Sequence, residues 1–230
     1  MVKHLACIMD GNRRWALQQG FASWFGHKKG LEAVQCVIDF CLEKNIKYLS
    51  LYTFSLENLQ QRSAAEQEYL FGALAQEASQ DLDVFKQKNV RIRFLGDRQQ
   101  FPLNVISICE KVERETASGS ALQLNFLLCY GGQQEIVNAA KCIAVDVAQG
   151  TLQVNDVTTN LFENYLWTAG IPTPDLIIRT GGQQRLSNFL LFQCAYSELY
   201  FLDCLWPDIS ETDLEAAFIY FDKCRKNFGK

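Results

Sequence analysis

The chain has 230 residues, 48% hydrophobic and 21% charged, with 14 Gly and 4 Pro, which suits one large globular domain or two small ones. Collagen-like, low-complexity and extensively disordered architectures are excluded by that composition. A net charge of −4 leaves no broad basic surface, so no nucleic-acid partner is expected.

In chain order, short strand-like runs alternate with longer helix-like ones. Leu5–Met9 reads as a strand, followed by the polar turn Asp10-Gly11-Asn12. Leu31, Val34, Ile38, Cys41 and Leu42 then recur at helical spacing. Tyr48–Phe54 is a second strand, and Leu70, Leu74, Ala78, Leu82 and Phe85 mark one face of a long helix. Val90, Ile92 and Phe94 alternate as a third strand. A helix led by Pro102 follows, then the apolar run Leu122–Cys129 and a helix over residues 133–147. Asp175–Ile178 and Leu199–Leu202 are the last strands, and Leu214, Ala217, Phe218 and Phe221 mark a final helix. The alternation predicts an α/β fold, a single domain over residues 1–230 with a mostly parallel six-stranded central sheet flanked by helices. A parallel strand buried on both faces reads as a continuous apolar run, as Leu122–Cys129 does.

Nine cysteines are scattered singly without a C-x-x-C, and the only histidines are His4 and His27, so a structural zinc site is not expected. Unpaired thiols at this density suit a reducing compartment. No signal-peptide pattern opens the chain. The longest apolar stretch, from Asn188 to Trp206, is broken by Gln193, Glu198 and Asp203, which leaves a cytoplasmic protein as the expectation.

Ligands of open α/β sheets bind beyond the carboxyl ends of the strands. Here those ends carry Asp10-Gly11-Asn12-Arg13-Arg14, Ser55-Leu56-Glu57-Asn58 and Arg179-Thr180-Gly181-Gly182. Within residues 10–29, Arg13, Arg14, Lys28 and Lys29 stand against Asp10 alone; residues 176–187 carry Arg179 and Arg185 and no acid. Two separate basic loops suit one or two ligands bearing several phosphates, since Arg reads phosphate oxygens bidentately. Neither a P-loop nor a dinucleotide fingerprint is present, and no G-x-S-x-G elbow supports a hydrolase. Asp10 beside these cations suits either a helix cap or Mg²⁺, with Glu198 a candidate second ligand.

The segment Met9-Asp10-Gly11-Asn12-Arg13-Arg14-Trp15-Ala16 resembles the signature of cis-prenyltransferases of the undecaprenyl diphosphate synthase type. The resemblance continues in order through Phe25-Gly26-His27-Lys28, Leu51-Tyr52-Thr53-Phe54-Ser55-Leu56-Glu57-Asn58, Tyr130-Gly131-Gly132, Ile178-Arg179-Thr180-Gly181-Gly182, Arg185-Leu186-Ser187-Asn188-Phe189-Leu190-Leu191, Ala195-Tyr196-Ser197-Glu198-Leu199-Tyr200-Phe201 and Leu205-Trp206-Pro207. It implies repeated condensation of isopentenyl diphosphate onto an allylic diphosphate, farnesyl diphosphate being the expected primer, with new cis double bonds. By the resemblance, Gly11, Asn12, Arg13, Arg14, Trp15 and His27 would bind the allylic diphosphate, with Arg62 also binding substrate. Asp10 would hold Mg²⁺ and help diphosphate leave. Arg179, Arg185 and Ser187 would bind isopentenyl diphosphate, and Glu198 would complete the metal shell across a homodimer interface. Ser55 and Asn58 would stand near the departing proton, with Glu57 ordering the loop. A greasy tunnel between sheet and helices would take the product, with Phe71, Leu74, Leu82, Phe85, Leu122 and Leu124 as candidates, and product release would bring peripheral membrane contact. The chain departs from the family pattern at Ser23, Leu59, Cys129, Gln133 and Gln183. The runner-up reading is a catalytically weak member acting as a binding or scaffolding subunit.

Overall fold

The computed structural model describes residues 1–22, 25–61, 71–72 and 80–224. Six strands, β1 (His4–Ile8), β2 (Tyr48–Ser55), β3 (Val90–Leu95), β4 (Leu122–Tyr130), β5 (Leu176–Arg179) and β6 (Glu198–Phe201), form one sheet in the order β3-β4-β2-β1-β5-β6. Every pairing is parallel. Each strand lies within two residues of its expected position. β1 and β5 are buried at every position and β4 at all but Gln123, as the apolar runs require.

The helices among the described residues are α1 (Asn12–Gln18), α2 (Phe25–Glu43), α3 (Leu56–Gln61), α4 (Leu82–Gln87), α5 (Leu103–Glu115), α6 (Gly132–Ala148), α7 (Thr159–Glu163) and α8 (Glu211–Lys223). Two expectations need correction. The polar turn after β1 becomes helix α1 at Asn12, because Gly11 takes φ 115°, which only Gly adopts cheaply, and turns the chain at once. The Glu57-Asn58 loop is likewise helical, since α3 starts directly after Ser55. Leu74, Ser23 and Arg62 lie outside the described residues.

A large apolar cluster on one face of the sheet joins Leu5, Leu49, Leu51, Leu122 and Leu124 to Val37, Ile38 and Cys41 of α2 and to Val105, Cys109 and Val112 of α5. The tunnel candidates Phe71, Leu82, Phe85, Leu122 and Leu124 all belong to this cluster. A smaller cluster on the other face gathers Ala6, Ile8, Leu127, Tyr130, Ile177 and Phe189. No disulfide forms among the nine cysteines. No helix among the described residues is long and apolar enough to cross a membrane.

The chain places β2 to β4 on one side of β1 and β5, β6 on the other. That reversal opens a crevice at the carboxyl ends of β1 and β5, the place where such sheets bind ligands.

Candidate active site

Parallel pairing sets Ile8 opposite Arg179, so the turn after β1 meets the end of β5. There the Asp10 carboxylate lies between two guanidinium groups. Arg179 Nη2 donates to Asp10 Oδ2 at 2.9 Å, and Arg14 Nη2 donates to Oδ1 at 3.1 Å. Arg14 reaches back because it stands one helical turn along α1. Thr180 fixes the backbone of Asp10: its hydroxyl donates to the Asp10 carbonyl at 2.8 Å and accepts from the Asp10 amide at 3.1 Å. The Trp206 amide donates to the same carbonyl at 3.0 Å. Gly181, at φ 85°, allows the close approach, since a Cβ there would lie 2.4 Å from Arg14 Nη2.

Arg179 is 4% exposed and organises the following loop. Its Nη1 donates to Ser187 Oγ at 2.8 Å and to the Arg185 carbonyl. The Arg185 guanidinium is exposed and bonded to the Gln183 amide oxygen. Two guanidinium groups thus flank the single Asp10 carboxylate, and Arg13 is exposed at the start of α1. The start of α1, which no side chain caps, and the adjacent arginines make this end a suitable anion cradle.

The remaining expected residues divide. Trp15 is buried, and its indole donates to Asp208 Oδ1 at 2.7 Å, so it anchors α1. Asn12 Nδ2 reaches the Met9 carbonyl at 3.5 Å, while its Oδ1 is buried with no hydrogen-bond partner among the described residues. His27 stands half-buried in the first turn of α2, which packs so closely on α1 that a Cβ at Gly26 would overlap the Asn12 carbonyl. Ser55 is buried at the end of β2. Glu57 Oε1 accepts from Asn188 Nδ2 at 2.7 Å. Asn58 is placed by its backbone alone, in α3. Glu198 begins β6 opposite Leu176, at the amino edge of the sheet, about 10 Å along the strand from the carboxyl edge. Within one chain it does not join Asp10.

The undecaprenyl diphosphate synthase family model matches residues 8–229. The chain belongs to that family. Among the family's curated members, it is 41% identical to a ditrans,polycis-undecaprenyl-diphosphate synthase, farnesyl-diphosphate specific, from Legionella pneumophila, over 99% of this chain and 95% of that protein. It is 38% identical to an isoprenyl transferase of Clostridium perfringens over 100% of this chain and 90% of the relative. Among solved structures, lavandulyl diphosphate synthase from Lavandula x intermedia, in complex with dimethylallyl diphosphate, superposes with a TM-score of 0.95 at 31% identity, covering 100% of this chain and 98% of that one. A probable undecaprenyl diphosphate synthase from Campylobacter jejuni gives 0.81 at 33% identity, with 100% and 99% covered.

Three residues of this cis-prenyltransferase escaped sequence reasoning. Thr180 and Asn188, like Tyr52, stood inside the recognised motifs, but their partners lie far along the chain. Tyr52 is the third: its hydroxyl lies 3.3 Å from both the Tyr130 and Ser187 carbonyls. Burial, then the Glu57 charge, raises its pKa, so it stays a neutral donor, although the Ser55 hydroxyl opposes the shift.

Proposed function

We propose that the chain condenses isopentenyl diphosphate repeatedly onto an allylic diphosphate such as farnesyl diphosphate, giving a cis-polyprenyl diphosphate of the kind that serves as an undecaprenyl lipid carrier. The observation that carries this reading is the Asp10 carboxylate set between Arg14 and Arg179 at the switch point of a family sheet.

In each cycle the bond between the allylic carbon and its diphosphate oxygen breaks. The double bond of isopentenyl diphosphate supplies the electrons of the new carbon–carbon bond, and one proton leaves. Arg13, Arg14 and the α1 amides bind the departing diphosphate, with Asn12 and His27 beside them. Positive groups fixed in advance are worth most as the leaving group gains charge. Arg179, Arg185 and Ser187 hold the isopentenyl diphosphate. Ser55 and Asn58 stand where the proton departs, and a weak base held in place, the released diphosphate included, suffices.

Asp10 suits Mg²⁺, because that ion prefers oxygen ligands and keeps several waters beside a single carboxylate. Bound there, Mg²⁺ would neutralise charge on the leaving diphosphate. A homodimer follows from the same reading, since Glu198 could join a metal shell only from a second copy. β6, at the sheet edge, is free for such a contact among the described strands. The site is cytoplasmic in this reading, the product occupies a tunnel beneath Phe71 and Phe85, and its release brings peripheral contact with a membrane.

The test is incorporation of labelled isopentenyl diphosphate onto farnesyl diphosphate, with and without Mg²⁺, with products sized by mass. Metal-dependent elongation is expected, and Asp10→Ala should lower turnover by about 1,000-fold, the scale of losing a main electrostatic element. Turnover that survives Asp10→Ala at saturating Mg²⁺ would remove Asp10 from the metal site. Absence of incorporation by the folded dimer would favour the scaffolding subunit instead.

A further inference from the structure

The loop that follows β5 has an uncommon backbone. Ser187, Asn188 and Leu190 take positive φ values of 50°, 67° and 43°. Side chains other than Asn and Asp seldom adopt this conformation, because Cβ crowds the carbonyl oxygen. Contacts from other strand ends hold the loop there, and Asn188 makes several of them. Its Oδ1 accepts from the Gln133 amide at 2.8 Å. Its Nδ2 donates to Glu57 Oε1 at 2.7 Å and to Gln134 Oε1 at 2.9 Å, which uses both amide protons. Its own carbonyl accepts from the Gly132 amide at 2.7 Å. Gly131 and Gly132 permit this approach: a Cβ at the first would lie 2.7 Å from Asn188 Nδ2, and at the second 3.1 Å from its carbonyl oxygen.

One residue therefore joins three pieces of the site. Through Glu57 it holds α3, the helix that starts directly after Ser55. Through Gln133 and Gln134 it holds the first turn of α6. Through its own backbone it places Ser187, whose hydroxyl accepts from Arg179 and whose carbonyl faces Tyr52. No described bond runs from Asn188 to the Asp10–Arg14 loop, so its influence falls on one half of the site.

We propose that Asn188 is a positioning residue of the condensation, fixing the Ser187 hydroxyl and the Glu57-bearing helix in one frame on the isopentenyl diphosphate side. It acts through Ser187 and Glu57. The inference rests on the diphosphate chemistry proposed above.

Asn188→Gly tests it, because Gly keeps the positive-φ backbone and removes every side-chain bond. The expected result is a folded dimer whose KM for isopentenyl diphosphate rises about tenfold, the scale of one or two lost hydrogen bonds, while the KM for farnesyl diphosphate stays within about twofold. Isopentenyl diphosphate binding, measured by calorimetry, should weaken in parallel. Adding Glu57→Ala to Asn188→Gly should cost little more than Asn188→Gly alone, because the glycine variant has already removed the Glu57 link. Asn188→Asp sets two carboxylates together, and Glu57→Gln should rescue it by reversing the polarity of the bond.

Wild-type kinetics and binding in Asn188→Gly would overturn the proposal. So would equal loss of both substrates together with a lowered melting temperature, which marks a purely structural role. A wild-type protein that binds isopentenyl diphosphate without elongating it counts against the activity alone, and calorimetry of the variant then decides Asn188. A wild-type protein that binds no isopentenyl diphosphate overturns both.

Discussion

Arg179 and Arg185 stand six residues apart on one loop, yet their surroundings give them different work. Arg179 is almost wholly buried, and its Nη groups are engaged by Asp10, Ser187 and the Arg185 carbonyl. Arg185 is exposed, and its partner Gln183 is neutral where the family pattern often has Glu. Its full charge is therefore available to a diphosphate. Arg185→Ala should raise the KM for isopentenyl diphosphate about 10- to 100-fold, the equivalent of one charge-assisted hydrogen bond. The KM for the allylic primer should change less than about twofold. Steady-state kinetics with each substrate varied would check this, and the opposite pattern would show the two sites to be exchanged. At this scale the motifs singled out Asp10, Arg14, Arg179 and Ser187, which hydrogen bonds join into one cluster. They could not reveal Thr180 or Tyr52, whose roles exist only once strand pairing brings another strand's carbonyl within reach.

Among the elements, β4 and α6 carry the most closely satisfied buried polar group. Glu135, in the first turn of α6, is completely buried. Its Oε1 accepts from the Thr168 amide and hydroxyl, both at 3.1 Å. Its Oε2 accepts from Gln193 Nε2 at 2.9 Å and from the Tyr130 hydroxyl. Burial, followed by the neighbouring Glu135 charge, raises the Tyr130 pKa and keeps that hydroxyl a donor. Glu135→Ala leaves these donors facing a cavity, so unfolding free energy should fall by about 3–5 kcal/mol. Urea unfolding of the variant measures this directly; a loss under about 1 kcal/mol would mean that water takes over the acceptor role. The helical period marked α6 to within one residue at each end, but Glu135 looked like an ordinary polar position because the pattern does not show what faces it. Seven-residue α1 and five-residue α7 were missed for a different reason. Neither is long enough to display a period, and the turn at Gly11 reads the same whether a helix or a loop follows. The cis-prenyltransferase resemblance suggested site roles that spacing alone left open, the Mg²⁺ role proposed for Asp10 among them.

Across the whole sheet, the edge opposite the site holds a titratable group tied to global stability. His4 Nδ1 is 2.7 Å from the Pro172 carbonyl, which can only accept, so Nδ1 carries the proton and Nε2 accepts from the Ser50 hydroxyl at 2.8 Å. Asn125 Nδ2 donates in turn to Ser50 Oγ at 3.1 Å, carrying the network across β1, β2 and β4. This network is satisfied only while the imidazole is neutral. Burial lowers the His4 pKa to about 4, against weaker opposing effects from the Pro172 carbonyl and Asp175. In the unfolded chain the ring gains its proton near pH 6.5, whereas the folded chain resists protonation until about pH 4. The unfolded state thus binds more protons between those values, and stability falls as pH falls through that window, by about 3 kcal/mol in all. Above pH 6.5 this contribution is complete. Urea unfolding of the wild type and of His4→Asn at pH 7, 5.5 and 4.5 isolates the effect. His4→Asn should be less stable at pH 7, because Asn cannot span from Pro172 to Ser50, yet should lose less stability on acidification. Equal acid slopes for the two proteins would place the sensitivity elsewhere than His4.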